Sequence, residues 1–253
     1  MIGVKPTLPS DYRLVYCDRV GSTNDEAKRV ARDGAVEGTV VWAREQTAGR
    51  GRLGHVWASP PGNLYFSLIL RPNCPPHHAA QLGFVATLAV GNALGALLPG
   101  LEELSYKWPN DVLVNGSKIA GILLESEMTK PNELAFLIIG VGINLASSPR
   151  LAEYPATSVS EESLGEVRSA AMLEEFCRHF HCWEKLWSEK GFAPIRAAWL
   201  AHAASHRELI RVRLSTRTLY GRFLDIDDLG ALLLEDLGEQ HHISAGEVFL
   251  MSQ

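Results

Sequence analysis

The sequence lacks the features that direct a chain out of the cell or into a membrane. Residues 1–11 contain no apolar stretch of signal-peptide length, and nowhere do about 18 consecutive apolar residues occur. Cysteine is scarce, and the four cysteines at positions 17, 74, 177 and 182 form no CxxC pair and no disulfide-framework spacing. That pattern is typical of a reducing compartment. We therefore expect a cytoplasmic protein with no membrane partner.

An excess of positive charge is also absent. The 253 residues include 24 Lys and Arg against 29 Asp and Glu, which gives a formal net charge of −5. The whole molecule therefore has no general attraction for nucleic acid. Arg44, Arg50 and Arg52 form a local positive site in an acidic protein. Such a site favours a small anionic ligand over a polyanion.

Metal-ligand spacing is missing as well. The cluster from Cys177 to Cys182 lies in a helical pattern, where only Cys177 and His181 share a face. An ordinary packed helix is favoured there over a tetrahedral metal site. The pairs His77–His78 and His241–His242 are expected in loops or at strand ends. We predict no metal site formed by the protein alone.

Residues 46–57 are the most informative segment, with the sequence Gln-Thr-Ala-Gly-Arg-Gly-Arg-Leu-Gly-His-Val-Trp. They belong to a connection of about twenty residues between strand-like runs at 39–43 and 64–70, and connections that long are usually functional. Glycines let a backbone fold tightly around a ligand. Arginines bind phosphates and carboxylates through paired donors. We predict an anion-binding flap and refer to residues 46–57 as the flap.

A helix is predicted to begin within residues 21–26, Gly-Ser-Thr-Asn-Asp-Glu. Thr23 and Glu26 have the spacing of a capping box, in which each side chain satisfies a free backbone amide. A helix N-terminus preceded by small polar residues also binds anionic or amide-bearing ligands. The two roles are compatible, and both interpretations stay open at this point.

A second dense stretch covers residues 105–125. The Asn115–Gly116 pair between two apolar runs predicts a hairpin. Lys118 opens the second run, where it either reaches solvent or faces an anionic ligand. Residues 108–111, Trp-Pro-Asn-Asp, have the composition of a turn.

The run 134–145 is predicted to be a buried strand with two glycines, Gly140 and Gly142. Glycine in a strand indicates either a bulge or the close approach of a ligand or another backbone. Asn144, at the polar end of the run, offers a donor and an acceptor suited to ribose or base edges.

The remaining segments predict packing rather than chemistry. Residues 79–98 are typical of a buried helix, and 166–204 of a helix with a core aromatic stripe. From Ser205 the pattern changes to short β-like pieces at 208–214, 218–225, 231–235 and 247–251. A module of that size does not usually stand alone, so we expect it to dock on the main domain. We predict domains at 1–204 and 205–253.

These stretches, taken together, resemble the biotin–protein ligase family. The matching segments occur in the family's order between Val15 and Leu250 and comprise residues 21–24, 46–54, 107–111, 118–125, 140–144 and 230–235. The resemblance implies an α/β fold of the α+β type. A mixed β-sheet covered by helices would form the biotin/lipoate ligase-like catalytic domain, followed by a small C-terminal SH3-like β-barrel.

The resemblance also implies an activity. Such an enzyme uses ATP, with Mg²⁺ near Asp111, to convert its substrate biotin to biotinyl-5′-adenylate and then biotinylates one lysine of a biotin carboxyl carrier protein. The implied catalytic residues are Lys118, Arg50 and Arg52. The residues implied to bind biotin and the adenylate are Ser22, Thr23, Asn24, Gln46, Gly49, Arg50, Gly51, Arg52, Trp57, Lys107, Trp108, Asn110, Asp111, Lys118, Gly121, Gly142 and Asn144.

The sequence departs from the family pattern in the flap. Leu53 stands where many members have a further arginine, and His55 replaces another basic residue, which leaves the affinity of the flap for the adenylate open. We expect no N-terminal helix-turn-helix, and therefore no DNA partner, since too few residues precede Asp11. Family members are monomers or dimers, so a homodimer remains open.

Three other functions compete with this interpretation. A lipoate or octanoate ligase shares the fold but lacks the Gly-Arg-Gly-Arg and Lys-Trp-Pro-Asn-Asp segments. A non-catalytic biotin- or nucleotide-binding regulator would release no pyrophosphate. A nucleic-acid binder acting through the C-terminal module is disfavoured by its acidic turns.

Overall fold

A mixed β-sheet forms the centre of the protein. The computed structural model describes residues 5–101, 103–149, 155–162 and 165–251. The sheet has seven strands in the order β1-β2-β3-β7-β6-β5-β4, with the first pair parallel and the other neighbouring pairs antiparallel. The mixed sheet is as expected. Its strands are β1 (Arg13–Val20), β2 (Thr39–Gln46), β3 (Leu64–Leu70), β4 (Leu104–Lys107), β5 (Asp111–Val114), β6 (Ser117–Lys130) and β7 (Glu133–Ile143).

Helices cover both faces of this sheet. They are α1 (Thr23–Arg32), α2 (Pro76–Ala79), α3 (Leu82–Leu97), α4 (Ser169–Lys190) and α5 (Phe192–Leu200). On one face, Ala27 and Ala31 of α1 pack against Ile69 and Ile138. On the other, α3, α4 and α5 enclose the larger core, which includes Phe66. Side chains of a strand alternate between faces, so β3, whose seven residues are all buried, is covered on both.

The helix α3 is the predicted buried helix. The span Pro76–Leu97 is long and apolar enough to cross a membrane by composition, but 72% of its apolar window is buried inside the protein, as in a core helix. A Cβ atom at Gly91 would lie 2.2 Å from Tyr106 Oη. The glycine therefore lets the Tyr106 ring lie directly against the helix.

The predicted aromatic stripe on α4 is core. Phe176 packs edge-on against Phe66 with 4.7 Å between ring centroids and stacks on Phe180 at 5.5 Å. The helical period predicted over 166–204 is interrupted once, because Gly191, with φ 71°, separates α4 from α5. Glycine adopts that backbone conformation without a steric penalty.

The C-terminal residues form a second, five-stranded antiparallel sheet in the order β11-β10-β9-β8-β12. Its strands are β8 (Leu209–Arg213), β9 (Thr218–Ile226), β10 (Leu232–Asp236), β11 (Glu239–Ile243) and β12 (Glu247–Leu250). The sequence did not predict β11, an edge strand with little apolar alternation. His241 and His242 lie within it, and His77 and His78 lie in α2 rather than in a loop. Closure into an SH3-like barrel stays a prediction.

This C-terminal sheet docks on the main domain as expected. Its buried residues belong to the same apolar cluster as those of α3 and α4. Trp108 Nε1 donates to the Gly230 carbonyl at 3.0 Å, and Gln81 Nε2 donates to the Asp228 carbonyl at 2.8 Å. The boundary between residues 204 and 205 stays a prediction.

Phe176→Ala should lower the free energy of unfolding by about 3–5 kcal/mol, because it removes a fully buried ring between Phe66 and Phe180 and leaves a cavity. Urea denaturation followed by circular dichroism measures the change. Val36→Ala, at a side chain that is 53% exposed, is the control and should change stability by less than about 0.5 kcal/mol. Equal stability of both variants would contradict the packing role of the aromatic stripe.

Candidate active site

The N-terminus of α1 is built into the sheet rather than capped by its own side chains. Ser22 is the N-cap residue but makes no side-chain capping bond, and Glu26 binds Arg29 instead. The predicted capping box is therefore wrong. Thr23 and Asn24 are both 4% exposed, because they face the sheet and not the solvent. The start of α1 is therefore available to bind an anionic or amide-bearing ligand.

A chain of hydrogen bonds leads from α1 into the flap. The Thr23 backbone N–H donates to Gln46 Oε1 at 2.7 Å. The Gln46 amide therefore directs Nε2 toward Ser59 Oγ, to which it donates at 2.9 Å. Ser59 Oγ in turn donates to the Trp57 carbonyl at 2.9 Å. The two ends of the flap are thus joined through side chains at the edge of the sheet.

The flap is a compact loop within the β2–β3 connection. The Trp57 N–H donates to the Gly49 carbonyl at 2.9 Å, and the Gly51 N–H donates to the His55 carbonyl at 2.7 Å. A Cβ atom at Gly49 would lie 2.5 Å from Ser59 Oγ and from the Trp57 carbonyl oxygen. Gly49 therefore shapes the flap and does not line the cavity beneath it.

The two flap arginines have different environments. Arg50 Nη1 and Nη2 donate to both carboxylate oxygens of Asp25 at 2.7 and 2.6 Å, and Nη2 also reaches Glu125 at 2.9 Å. The Asp25 hydrogen bonds and the Glu125 charge raise the pKa of Arg50. Arg52 lies over the cavity and donates to the Gly246 carbonyl at 3.3 Å.

A charged triad occupies the opposite wall. Asp111 begins β5 and is 7% exposed, with Lys107 Nζ at 3.0 Å and Lys118 Nζ at 2.5 Å from its two oxygens. Antiparallel pairing places Lys107 opposite Asp111. Burial alone would raise the pKa of Asp111, but the charges of Lys118 and Lys107 outweigh it and hold that pKa below its ordinary value.

The charge balance of this wall favours an anion. Two ammonium groups face one carboxylate, and Arg52 lies near enough for Asp111 and Glu247 to affect its ionisation. Burial lowers the pKa of Arg52, and those two carboxylates oppose the shift. An incoming anion would compensate the remaining positive charge in a partly buried place, where such interactions are strong.

The two glycines of β7 mark close approaches, not a bulge. The β3–β7 register is continuous through both positions. A Cβ atom at Gly140 would lie 2.1 Å from Asn24 Oδ1, and one at Gly142 would lie 2.5 Å from the Trp57 indole. The groups that approach are side chains and not the ligand or backbone that the sequence predicted, and the glycines leave room for these side chains beside the cavity.

Two buried polar atoms in the cavity wall have no partner in the described part of the chain. They are Trp57 Nε1, a donor, and Asn144 Oδ1, an acceptor. Asn144 is held in place because its Nδ2 donates to the Thr157 carbonyl at 3.0 Å. Buried polar atoms are normally satisfied, so each of the two is a candidate contact for a polar group that enters the cavity.

These elements enclose a cavity of about 410 Å³, within the range of small-molecule sites. Every site residue named from the sequence lines it except Gly49. Gly246, Glu247 and Val248 of the C-terminal sheet also line it and were missed, because only docking brings them there. Among the described residues, no group of three or more His, Cys, Asp or Glu side chains could hold a metal ion.

Asp111→Asn should reduce the free energy of unfolding by about 3 kcal/mol at pH 7, because Lys107 and Lys118 lose the carboxylate that compensates their charges. The native pKa of Asp111 is depressed, so the wild type loses this contribution only as pH falls below about 3.9. Urea titrations at pH 7, 5 and 3 should show that the difference in unfolding free energy between the wild type and Asp111→Asn is smallest at pH 3. Asp18→Asn, at a surface pair with Arg44, is the control. A constant difference across the three pH values would contradict this role.

Comparison with known proteins follows the same division of the chain. The model of the biotin/lipoate A/B protein ligase family matches residues 9–201, and that of the biotin protein ligase C-terminal domain matches residues 208–251. The two matches cover the main sheet and the C-terminal sheet in turn.

Individual relatives agree with these matches. A biotin–[acetyl-CoA-carboxylase] ligase of Paracoccus denitrificans is 44% identical over 236 residues, covering 91% of this chain and 98% of the relative. The bifunctional ligase/repressor BirA of Bacillus subtilis is 38% identical, with 88% and 69% covered. The Aquifex aeolicus biotin protein ligase in complex with biotin and ATP superposes with a TM-score of 0.79 at 27% identity, covering 95% and 99%. With both family models matched in order and relatives this similar along most of its length, the chain belongs to the biotin–protein ligase family.

Proposed function

We propose that this protein is an ATP-dependent biotin–protein ligase. It joins biotin and ATP to form biotinyl-5′-adenylate with release of pyrophosphate, and then transfers the biotinyl group to a lysine of a biotin carboxyl carrier protein. The observation that carries the proposal is one cavity with hydrogen-bonding groups on α1 at one end and the Lys107–Asp111–Lys118 triad at the other. Similarity to a biotin–[acetyl-CoA-carboxylase] ligase and to a biotin and ATP complex supports it.

We assign the ring end of biotin to the part of the cavity beside α1. A fused ring system needs apolar walls with a few donors and acceptors at its ureido group. Ser22, Thr23 and Gln46 provide the polar groups, and Trp57 lies against Gly142 beside them. The biotin side chain then extends from this end toward the lysines.

We assign the reacting groups to the triad. The biotin carboxylate attacks the α-phosphorus of ATP, a new C–O–P linkage forms, and the bond to pyrophosphate breaks. The two reactants are both anions, so charge neutralisation and positioning are the main contributions. Lys118 Nζ lines the cavity, is held by Asp111, and neutralises the carboxylate and the α-phosphate together. Arg52 supplies a further positive charge from the flap.

Mg²⁺ bound to ATP supplies neutralisation of the pyrophosphate oxygens. Asp111 and Glu247 are the carboxylates that line the cavity and would contact that ion. Asp111 is already shared by two lysines, which fits an ion that enters with the nucleotide better than a resident one.

We assign the unpartnered Asn144 Oδ1 and Trp57 Nε1 to recognition of the adenylate. An amide oxygen accepts from a ribose hydroxyl or an exocyclic amine, and an indole N–H donates to a carbonyl or phosphate oxygen. The flap covers the same space and excludes water from the mixed anhydride, which would otherwise hydrolyse. The lysine amine of the carrier then attacks the acyl carbon, and AMP leaves.

We propose a cytoplasmic enzyme with two cooperating units, 1–204 and 205–253. The contribution of Gly246, Glu247 and Val248 to the cavity wall supports cooperation between them. The partner is a carrier domain that presents one lysine at the cavity mouth.

Purified protein incubated with biotin, MgATP and a biotin carboxyl carrier domain should biotinylate the carrier lysine, detected by intact mass and streptavidin blotting. Omitting ATP, or replacing the acceptor lysine with arginine, should abolish the product. Lipoate in place of biotin separates this function from that of a lipoate ligase. Absence of carrier labelling together with absence of biotin-dependent pyrophosphate release would refute the proposal.

Lys118→Ala should slow biotin-dependent pyrophosphate release by about 10²–10³-fold, because a positioned charge is lost at the reacting anions. Lys130→Ala is the matched control, since Lys130 lies on the same strand but is 74% exposed, and it should leave the rate unchanged. Near-normal release by Lys118→Ala would rule out the assigned role.

A further inference from the structure

The Glu125 carboxylate lies where α1, the flap and β6 meet, outside the lining of the cavity. It is contacted by three side chains, two from α1 and one from the flap. Asn24 Nδ2 donates at 2.7 Å, Lys28 Nζ lies at 2.9 Å, and Arg50 Nη2 donates at 2.9 Å. No role in the proposed function uses this carboxylate.

We propose that Glu125 is a positioning residue for the biotin end of the site. Arg50, through its hydrogen bond to Glu125, anchors the flap and does not contact the anionic groups of the ligand. The inference rests on the proposed function for the identity of the ligand. It revises the catalytic role that the resemblance implied for Arg50.

The contacts of Arg50 support an anchoring role. Its guanidinium is bidentate with Asp25 of α1 and reaches Glu125 of β6 with the same Nη2. A phosphate or carboxylate ligand would have to displace two charge-assisted contacts, which are the stronger kind of hydrogen bond. Arg52 reaches a backbone carbonyl at 3.3 Å, so its displacement by a ligand costs less.

Glu125 also sets the direction of the Asn24 amide. An ionised carboxylate only accepts hydrogen bonds, so Asn24 must direct Nδ2 toward it. Oδ1 then faces inward and accepts from Ser67 Oγ at 2.6 Å, beside the space that Gly140 leaves open. Ser67 Oγ lies 2.8 Å from Thr23 Oγ1. The orientation of the polar groups beside α1 is therefore set by a charged residue outside the cavity.

The carboxylate is suited to this task because it is ionised and partly buried. Burial alone would raise the pKa of Glu125, but donation from Asn24 and Lys28 and the charge of Arg50 outweigh it and lower that pKa. The Glu125, Lys28 and Arg50 side chains are 23%, 22% and 28% exposed. Solvent screens such a cluster less than it screens a surface ion pair.

The test compares Glu125→Ala and Glu125→Gln with Glu127→Gln. Glu127 lies two residues further along the same face of β6 and pairs with Arg32 at the surface, so its variant removes the same charge from the same strand. Four quantities are measured: the biotin Kd by calorimetry without ATP, the KM for biotin, the kcat, and the rate of tryptic cleavage after Arg50 and Arg52 without ligand. Melting temperatures report folding.

Glu125→Ala should raise the Kd and KM for biotin about 10-fold or more, since charge-assisted hydrogen bonds of this kind correspond to at least a factor of ten. The kcat at saturating biotin should stay within about 3-fold, and flap cleavage should be about 10-fold faster. Glu125→Gln keeps an acceptor for Asn24 and should restore part of the biotin affinity. Glu127→Gln should match the wild type in all four quantities.

Asp25→Asn separates the two parts of the proposal, because Asp25 pairs with Arg50 but not with Asn24. It should accelerate flap cleavage more than it weakens biotin binding. Folded Glu125 variants with wild-type biotin affinity and wild-type cleavage would overturn the inference, as would a loss confined to kcat. Should Glu125→Ala fail to fold, Glu125→Gln decides the question.

Failure of the proposed function has a different signature. A wild-type protein that neither binds biotin nor releases pyrophosphate would refute that function. The ligand-free cleavage rates would still decide whether Glu125 anchors the flap.

Discussion

The buried pairing of Asp111 with Lys107 and Lys118 is the constraint on which the site depends. A carboxylate taken out of water is stable only with compensating charge, and two lysines on neighbouring strands provide it. The same arrangement leaves an excess of positive charge at the cavity wall. Stability of the sheet edge and affinity for an anion therefore have one physical origin, and weakening the triad affects both.

The opposite end of the cavity depends on hydrogen bonds rather than on net charge. A chain of hydrogen bonds with a fixed order of donors and acceptors runs from α1 into the flap through Thr23, Gln46 and Ser59. The Gln46 amide has one productive orientation, because the Thr23 backbone N–H that bonds its Oε1 can only donate. Glycines of β7 give these side chains and Trp57 the room they occupy. A rigid polar end and a charged end are combined in one apolar scaffold, as joining biotin to a nucleotide requires.

The C-terminal sheet is part of the site and not an appendage. His55 Nε2 of the flap lies 2.8 Å from Glu247 Oε1, and Glu247 also binds Arg213. The departure of His55 from the basic residue of the family pattern thus has a local partner. Leu53, the other departure, lies in a left-handed conformation with φ 53° on the exposed tip of the flap.

The sequence by itself determined most of the sheet strands and the core helices, because apolar periodicity and dense short motifs are local signals. Of the site residues that it named, all but Gly49 line the cavity. Arg50 and Arg52 illustrate its limit: their neighbours in the chain are alike, but their partners come from α1, β6 and the C-terminal sheet. The capping box failed for the same reason, since Thr23 binds Gln46 of β2 instead. Which arginine pairs with carboxylates and which lies over the cavity, and which residues of the C-terminal sheet complete the wall, were decided by tertiary structure alone. Ion pairs and cavities bring together residues that are far apart in the chain, and local sequence patterns do not specify those contacts.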